Sequence, residues 1–88
     1  MPLPVDIHIG RVLRRRRQLL GLTQAQLAEV CGLTFQQIHK YETAINSLSA
    51  TRLWRLADAL SVPVSYFFEG LPAEKKSFAP SNDHKRPG

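Results

Sequence analysis

The chain has 88 residues, 43% hydrophobic and 8% aromatic, with one cysteine and a formal net charge of +5. That length and composition suit one small globular domain with a modest core rather than a disordered chain. A lone cysteine excludes an internal disulfide, and no apolar run approaches the ~18 residues that a membrane span needs.

The opening MPLPVDIHIG lacks the charged start and apolar core of a signal peptide, so the cytoplasm is the expected location. Charge is unevenly spread: residues 1–22 hold five Arg against one Asp, whereas the stretch from 23 to 70 is close to neutral. A basic cluster beside a near-neutral body fits a surface that faces a polyanion, and equally a solvated charged face.

Five helical segments follow in order, with no strand pattern. The first runs from about Ile7 to Leu20, with Ile9, Val12, Leu13 and Leu20 at helical spacing, and Gly21 stops it. The second opens at Thr23, with Gln26 three residues on as in a capping box, and stops at Gly32. The third opens at Thr34, again with a glutamine, Gln37, three positions later; Ile38 and Tyr41 form its apolar side. A fourth begins near Ser49 and carries the stripe Leu53, Leu56, Ala57 and Leu60. Pro63 suits the first turn of a short fifth helix, PVSYFFEG. The expected division is a domain over residues 1–70 and a flexible tail over 71–88, which is rich in Pro, Ser and charge.

Only Gly32 and Leu33 separate the second segment from the cap of the third. Two helices joined by a short glycine-containing connection form a helix-turn-helix. Ala28 is small where the helices would touch, and Leu27, Leu33, Ile38 and Tyr41 fall where each must face a core. The register of these features together carries more than any one of them.

With these residues in place, GRVLRRRRQLLGLTQAQLAEVCGLTFQQIHKYE and LSATRLWRLADALSVPVSYFFEG resemble the Cro/CI-type, or XRE-like, helix-turn-helix family. The resemblance covers about residues 9–70 and is most specific at Gly21-Leu-Thr-Gln24, Leu27-Ala28, Gly32, Ile38, Glu42 and Leu56-Ala57…Leu60. It implies an all-α, compact five-helix, phage-repressor-like domain that binds operator DNA as a homodimer, in most members as a repressor. One departure stands out: Ala44 occupies a position where the family usually has glycine. If the turn there takes a positive φ, the alanine adds strain of about 1 kcal/mol.

At ~100° per residue, Gln36, Lys40 and Thr43 point away from Ile38 and Tyr41, with His39 and Gln37 on the flanks and Phe35 at the edge. Glutamine can pair with adenine, lysine can donate to guanine, and an aromatic ring can meet the thymine methyl. Gln36 and Lys40 are therefore the leading base-reading residues, followed by Phe35, Gln37 and Thr43. For phosphate, Gln24 sits where free helix N-terminal amides favour an anion, and the resemblance implies that it contacts the DNA backbone. Asn46 and Ser47 in the following loop, and the exposed Arg14, complete that set.

The run Arg14–Arg17 divides by geometry. Arg17 shares the apolar stripe with Leu13 and Leu20, so its guanidinium needs a partner, and Glu42 is the candidate. The resemblance supports this structural pair. Arg11, Arg14 and Arg15 are expected to be exposed, while the stem of Arg16 packs and its head stays in water. Trp54, Tyr66, Phe67 and Phe68 are more than so small a core needs: some complete the core beneath the fifth helix, and the rest suggest dimer contacts. A protein-interaction module or an antitoxin-type partner-binding protein using that aromatic surface is the alternative. His8, His39 and His84 are scattered, no metal-ligand cluster or nucleophile motif is present, and Cys31 falls on the inward side of its helix. No enzymatic activity, metal, cofactor, small-molecule ligand or membrane partner is expected.

Overall fold

The structure is a computed structural model that describes residues 2–71. The expected tail lies outside the described residues apart from Leu71. Four α-helices and one 3-10 turn make up the described part: α1 Pro4–Leu19, α2 Gln24–Cys31, α3 Phe35–Glu42, α4 Ala50–Ala59, and the turn Val64–Phe68.

Side-chain caps start three of the helices. Thr23 and Gln26 form a reciprocal capping box on α2, Thr34 and Gln37 form one on α3, and Ser49 Oγ accepts the Arg52 N–H at the head of α4. Helix α1 begins at Pro4, three residues before the expected Ile7. Proline fits the first helical position because an N–H there would have no intrahelical acceptor.

All four helices end in the same way. Beyond the last turn, an N–H reaches back to a carbonyl five residues earlier: Leu22 to Arg17 (3.1 Å), Leu33 to Ala28 (2.8 Å), Ile45 to Lys40 (2.8 Å) and Val62 to Ala57 (3.0 Å). This closure requires a left-handed residue just before the donor. Gly21 and Gly32 supply it in two cases, but Ala44 (φ 63°) and Ser61 (φ 59°) supply it in the others. The 43–48 connection thus follows the glycine path with an alanine in it.

Two expectations are corrected. The fifth helix is a 3-10 turn, because five residues after Pro63 cannot sustain an i→i−4 ladder. The Tyr66 N–H donates instead to Pro63 O (3.0 Å) and the Glu69 N–H to Tyr66 O (3.4 Å). Leu20, expected on the apolar stripe, is the cap residue of α1 and 43% exposed, since the chain turns out of the helix before reaching it.

Leu13, Leu27, Ile38, Leu56, Leu60 and Phe67 are fully buried, so every element of the described fold contributes to one core. Each such side chain is worth roughly 1.5–3 kcal/mol in transfer free energy. Helix α3 packs on α2 and on α1, and the 3-10 turn packs on α1 and α4. Helix α1 approaches α3 so closely that a Cβ on Gly10 would sit 2.6 Å from Tyr41 O and 2.7 Å from Glu42 O.

Candidate nucleic-acid interface

The polar side chains of α3 fall into two groups, one committed to the fold and one open. Gln37 is committed: its Oε1 accepts the Thr34 N–H at 2.9 Å, so its amide folds back over the helix start. Thr43 donates its hydroxyl to His39 O at 2.8 Å. Gln36 and Lys40 are exposed, and neither side chain bonds to another described residue. Phe35 lies beside them with 51% of its surface exposed, a large apolar ring held in solvent at the start of the helix. Ile38, Tyr41 and Glu42 are buried on the opposite side and fix the helix to the domain.

The inner end of α3 is anchored by charge. Arg17 Nε donates to Glu42 Oε2 at 2.6 Å and Arg17 Nη2 to Glu42 Oε1 at 3.0 Å, while Nη1 donates to Leu22 O at 2.7 Å. Gln24 Nε2 adds a third donor to that carboxylate, reaching Glu42 Oε1 at 3.0 Å. The end of α1, the start of α2 and the end of α3 therefore meet at one carboxylate. A bidentate guanidinium–carboxylate pair is directional as well as charged, so it sets orientation and not merely proximity.

Among the other basic residues, Arg11, Arg14 and Arg15 are exposed on α1. The head of Arg16 is not left in water: Nε donates to Leu60 O at 3.1 Å and the guanidinium lies 5.9 Å from the Tyr66 ring centroid. It satisfies a terminal carbonyl of α4, a partner 44 residues away that no local pattern signals. In the loop, Asn46 is exposed and Ser47 Oγ donates to Asp6 Oδ2 at 2.9 Å. Gly10, Asp6 and Arg52, whose Nη1 donates to the Tyr41 hydroxyl at 2.8 Å, also shape this region, and the sequence reading named none of the three for that role.

The aromatic residues separate. Phe67 is 0% exposed and belongs to the core, which removes it from the dimer-contact candidates; the 3-10 turn rotates it inward, edge-on to Tyr66. Tyr66 is half-buried beneath Arg16. Phe68 and Trp54 are exposed, Trp54 to 63%, and Trp54 lines a shallow groove with Val30, Cys31 and Ala59 between Arg55 and Asp58. Burial raises the Cys31 thiol pKa, with Arg52 and Arg55 pulling the other way. Among the described residues no three His, Cys, Asp or Glu side chains gather as metal ligands, and no helix is long and apolar enough to cross a membrane.

The chain is similar to known proteins in sequence and in fold. The chain is 49% identical over 73 residues to an uncharacterized HTH-type transcriptional regulator of Sinorhizobium medicae, covering 83% of this chain and 52% of that protein. It spans about half the length of several of the curated relatives it matches. The restriction-modification controller protein C.AhdI of Aeromonas hydrophila superposes with a TM-score of 0.68 at 29% identity, over 70% of this chain and 94% of that one. The P22 c2 repressor, solved in complex with a synthetic operator, superposes with a TM-score of 0.65 at 27% identity over the same shares. The helix-turn-helix family model HTH_3 matches residues 13–67, which takes in α2, α3 and the elements that brace them. The chain belongs to this XRE-like helix-turn-helix family.

Proposed function

We propose that the protein is a sequence-specific, double-stranded-DNA-binding transcriptional regulator, a non-enzymatic repressor that reads the major groove with α3 as a homodimer. The observation that carries this is the division of α3 into a buried side and an open side. In a helix-turn-helix, the N-terminal residues of the second helix meet base edges. Phe35 and Gln36 occupy that part of α3 and Lys40 lies one turn further along the same side; all three are exposed and uncommitted within the described fold. Gln36 is favoured over Gln37, whose amide is spent on the capping box. Thr43 remains a contributor at the far end.

Gln24, Asn46, Ser47 and Arg14 are the proposed phosphate contacts. The amide nitrogen of Gln24 carries two hydrogens. Glu42 takes one, which orients the amide and leaves the second N–H for a phosphate oxygen at the head of α2. Such contacts set register without carrying sequence information. Trp54, Phe68 and the accessible part of Tyr66 are the proposed dimer contacts, and a twofold dimer would match a palindromic operator.

The test is selection of bound duplexes from random DNA, with a Gln36→Ala, Lys40→Ala double variant as control. The expected result is a steep decline of log K with log salt, and a double variant that loses specific affinity far more than nonspecific affinity. A shallow salt slope would remove the DNA reading. The exposed Trp54 and Val30 favour one second reading, a partner-binding module. In that case the double variant keeps full activity.

A further inference from the structure

Ser47, one of the proposed phosphate contacts, already has an anionic partner. Its Oγ donates to Asp6 Oδ2 at 2.9 Å, across 41 residues of sequence. A serine hydroxyl has one proton to give, and a phosphodiester oxygen can only accept. The carboxylate and a DNA phosphate would therefore compete for the same hydrogen. Asp6 lies in the first turn of α1, and with Pro2, Leu3, Thr43, Ala44, Ile45 and Ser47 it lines one open cleft. Thr43, which caps the end of α3, is thus one wall of the same cleft. No Lys or Arg of the described residues lies within salt-bridge distance of Asp6, so no basic side chain among them offsets its charge.

We propose that Asp6 sets the affinity of the DNA-binding face downward. Its carboxylate holds the Ser47 hydroxyl that would otherwise meet a phosphate, and it repels that phosphate as well. The inference rests on the reading that α3 and the loop after it face DNA. It assigns to α1 a role distinct from that of the exposed arginines further along the same helix. Asp6 opposes the backbone contact, while Arg11, Arg14 and Arg15 attract it. Because both act on phosphates, neither alters which sequence is preferred.

The experiment uses the full chain and two duplexes, one selected and one random, across a salt series. Four proteins are compared: wild type, Asp6→Asn, Ser47→Ala, and both changes together. Asp6→Asn should bind both duplexes about 3- to 10-fold more tightly near 0.1 M salt, with the gain shrinking as salt rises. Ser47→Ala, added to Asp6→Asn, should cancel much of the gain, because the hydroxyl freed to meet the phosphate is then absent. Equal or weaker binding by Asp6→Asn, while wild type binds steeply with salt, overturns this inference and leaves the proposed function standing. Gain on the selected duplex alone also overturns it, since that would mean a shift of α3 rather than a phosphate effect. Failure of wild type to bind either duplex overturns the proposed function, and this inference with it. Asp6 also faces the positive end of α1, so thermal unfolding of each variant is recorded. Asp6→Glu, which keeps the charge, should retain weak binding if charge is the cause, and tight binding by it counts against the proposal.

Discussion

Arg17 and Glu42, 25 residues apart, are joined by two parallel N–H···O bonds inside the domain, and Glu42 receives its third bond from Gln24. Removing one member leaves the other charge buried without its counter-charge, held only by a neutral group, Gln24 for Glu42 or Leu22 O for Arg17. Arg17→Ala is therefore expected to lower stability by about 3–5 kcal/mol. Replacing both, as Arg17→Met with Glu42→Leu, should recover most of that loss, because a matched apolar pair carries no desolvation cost. Urea unfolding measures both. A double variant as unstable as Arg17→Ala would mean that the cost lies in lost packing rather than in the stranded carboxylate. The double variant should still bind DNA less well than wild type, since Gln24 loses the acceptor that orients it.

Gly10 is the closest point between α1 and α3. A methyl group there would collide with the carbonyl oxygens of Tyr41 and Glu42, which belong to backbone and cannot swing aside like a side chain. Alanine improves helix propensity by up to ~1 kcal/mol over glycine. Overpacking costs about 1–3 kcal/mol, so Gly10→Ala should destabilise despite the propensity gain. An unchanged or raised urea midpoint would show that α1 can slide on α3 without penalty.

What the sequence made legible follows from the range of the interaction. Thr23 with Gln26, and Thr34 with Gln37, are bonded three residues apart, so residue type and spacing alone located the starts of α2 and α3. The core stripe of α4 was legible for the same reason. Leu20 shows the limit of periodicity: the spacing continued past the point where the backbone had already turned. Contacts between distant segments left no local trace, which is why Asp6 with Ser47 and Arg16 with Leu60 O could not be read. Arg17 with Glu42 was the exception, because a charge on an apolar stripe demands a partner. Gly10 gave a faint signal, a glycine inside a helix pattern, with nothing to say what it approached. Phe67 was hidden among four aromatic residues until the 3-10 geometry separated them.

Cys31 is half-buried, and burial raises its thiol pKa above the ordinary 9.0, although Arg52 and Arg55 oppose the shift. The native thiol should thus be alkylated by iodoacetamide more slowly than the same thiol in the urea-unfolded chain at the same pH. The stability consequence has a definite sign. With the folded value above the unfolded one, the contribution is complete below the unfolded pKa and declines as pH rises through the folded value. Comparing Cys31→Ala with wild type across that range isolates it from other titrations. Native alkylation as fast as in urea would mean that the two arginines outweigh burial.

Ala44 and Ser61 hold the left-handed position that glycine holds after α1 and α2, so both carry strain that glycine would relieve. The relief is roughly 1–2 kcal/mol, against roughly 0.5–1 kcal/mol for the greater freedom of glycine in the unfolded chain. Ser61 is exposed, so Ser61→Gly sacrifices little contact and should stabilise by about 0.5–1 kcal/mol. That corresponds to a rise in Tm of roughly 2–8 °C for a domain of this size. Ala44 is 6% exposed, and its methyl is packed, so Ala44→Gly forfeits about 0.8 kcal/mol of burial and should gain less, or nothing. The ordering is the testable point: Ser61→Gly should melt higher than Ala44→Gly, with the two effects close to additive in the double variant because they close different helices. If Ala44→Gly were the more stable of the two, the strain at the end of α3 would exceed that at α4, and the alanine would be holding the end of the proposed reading helix under tension.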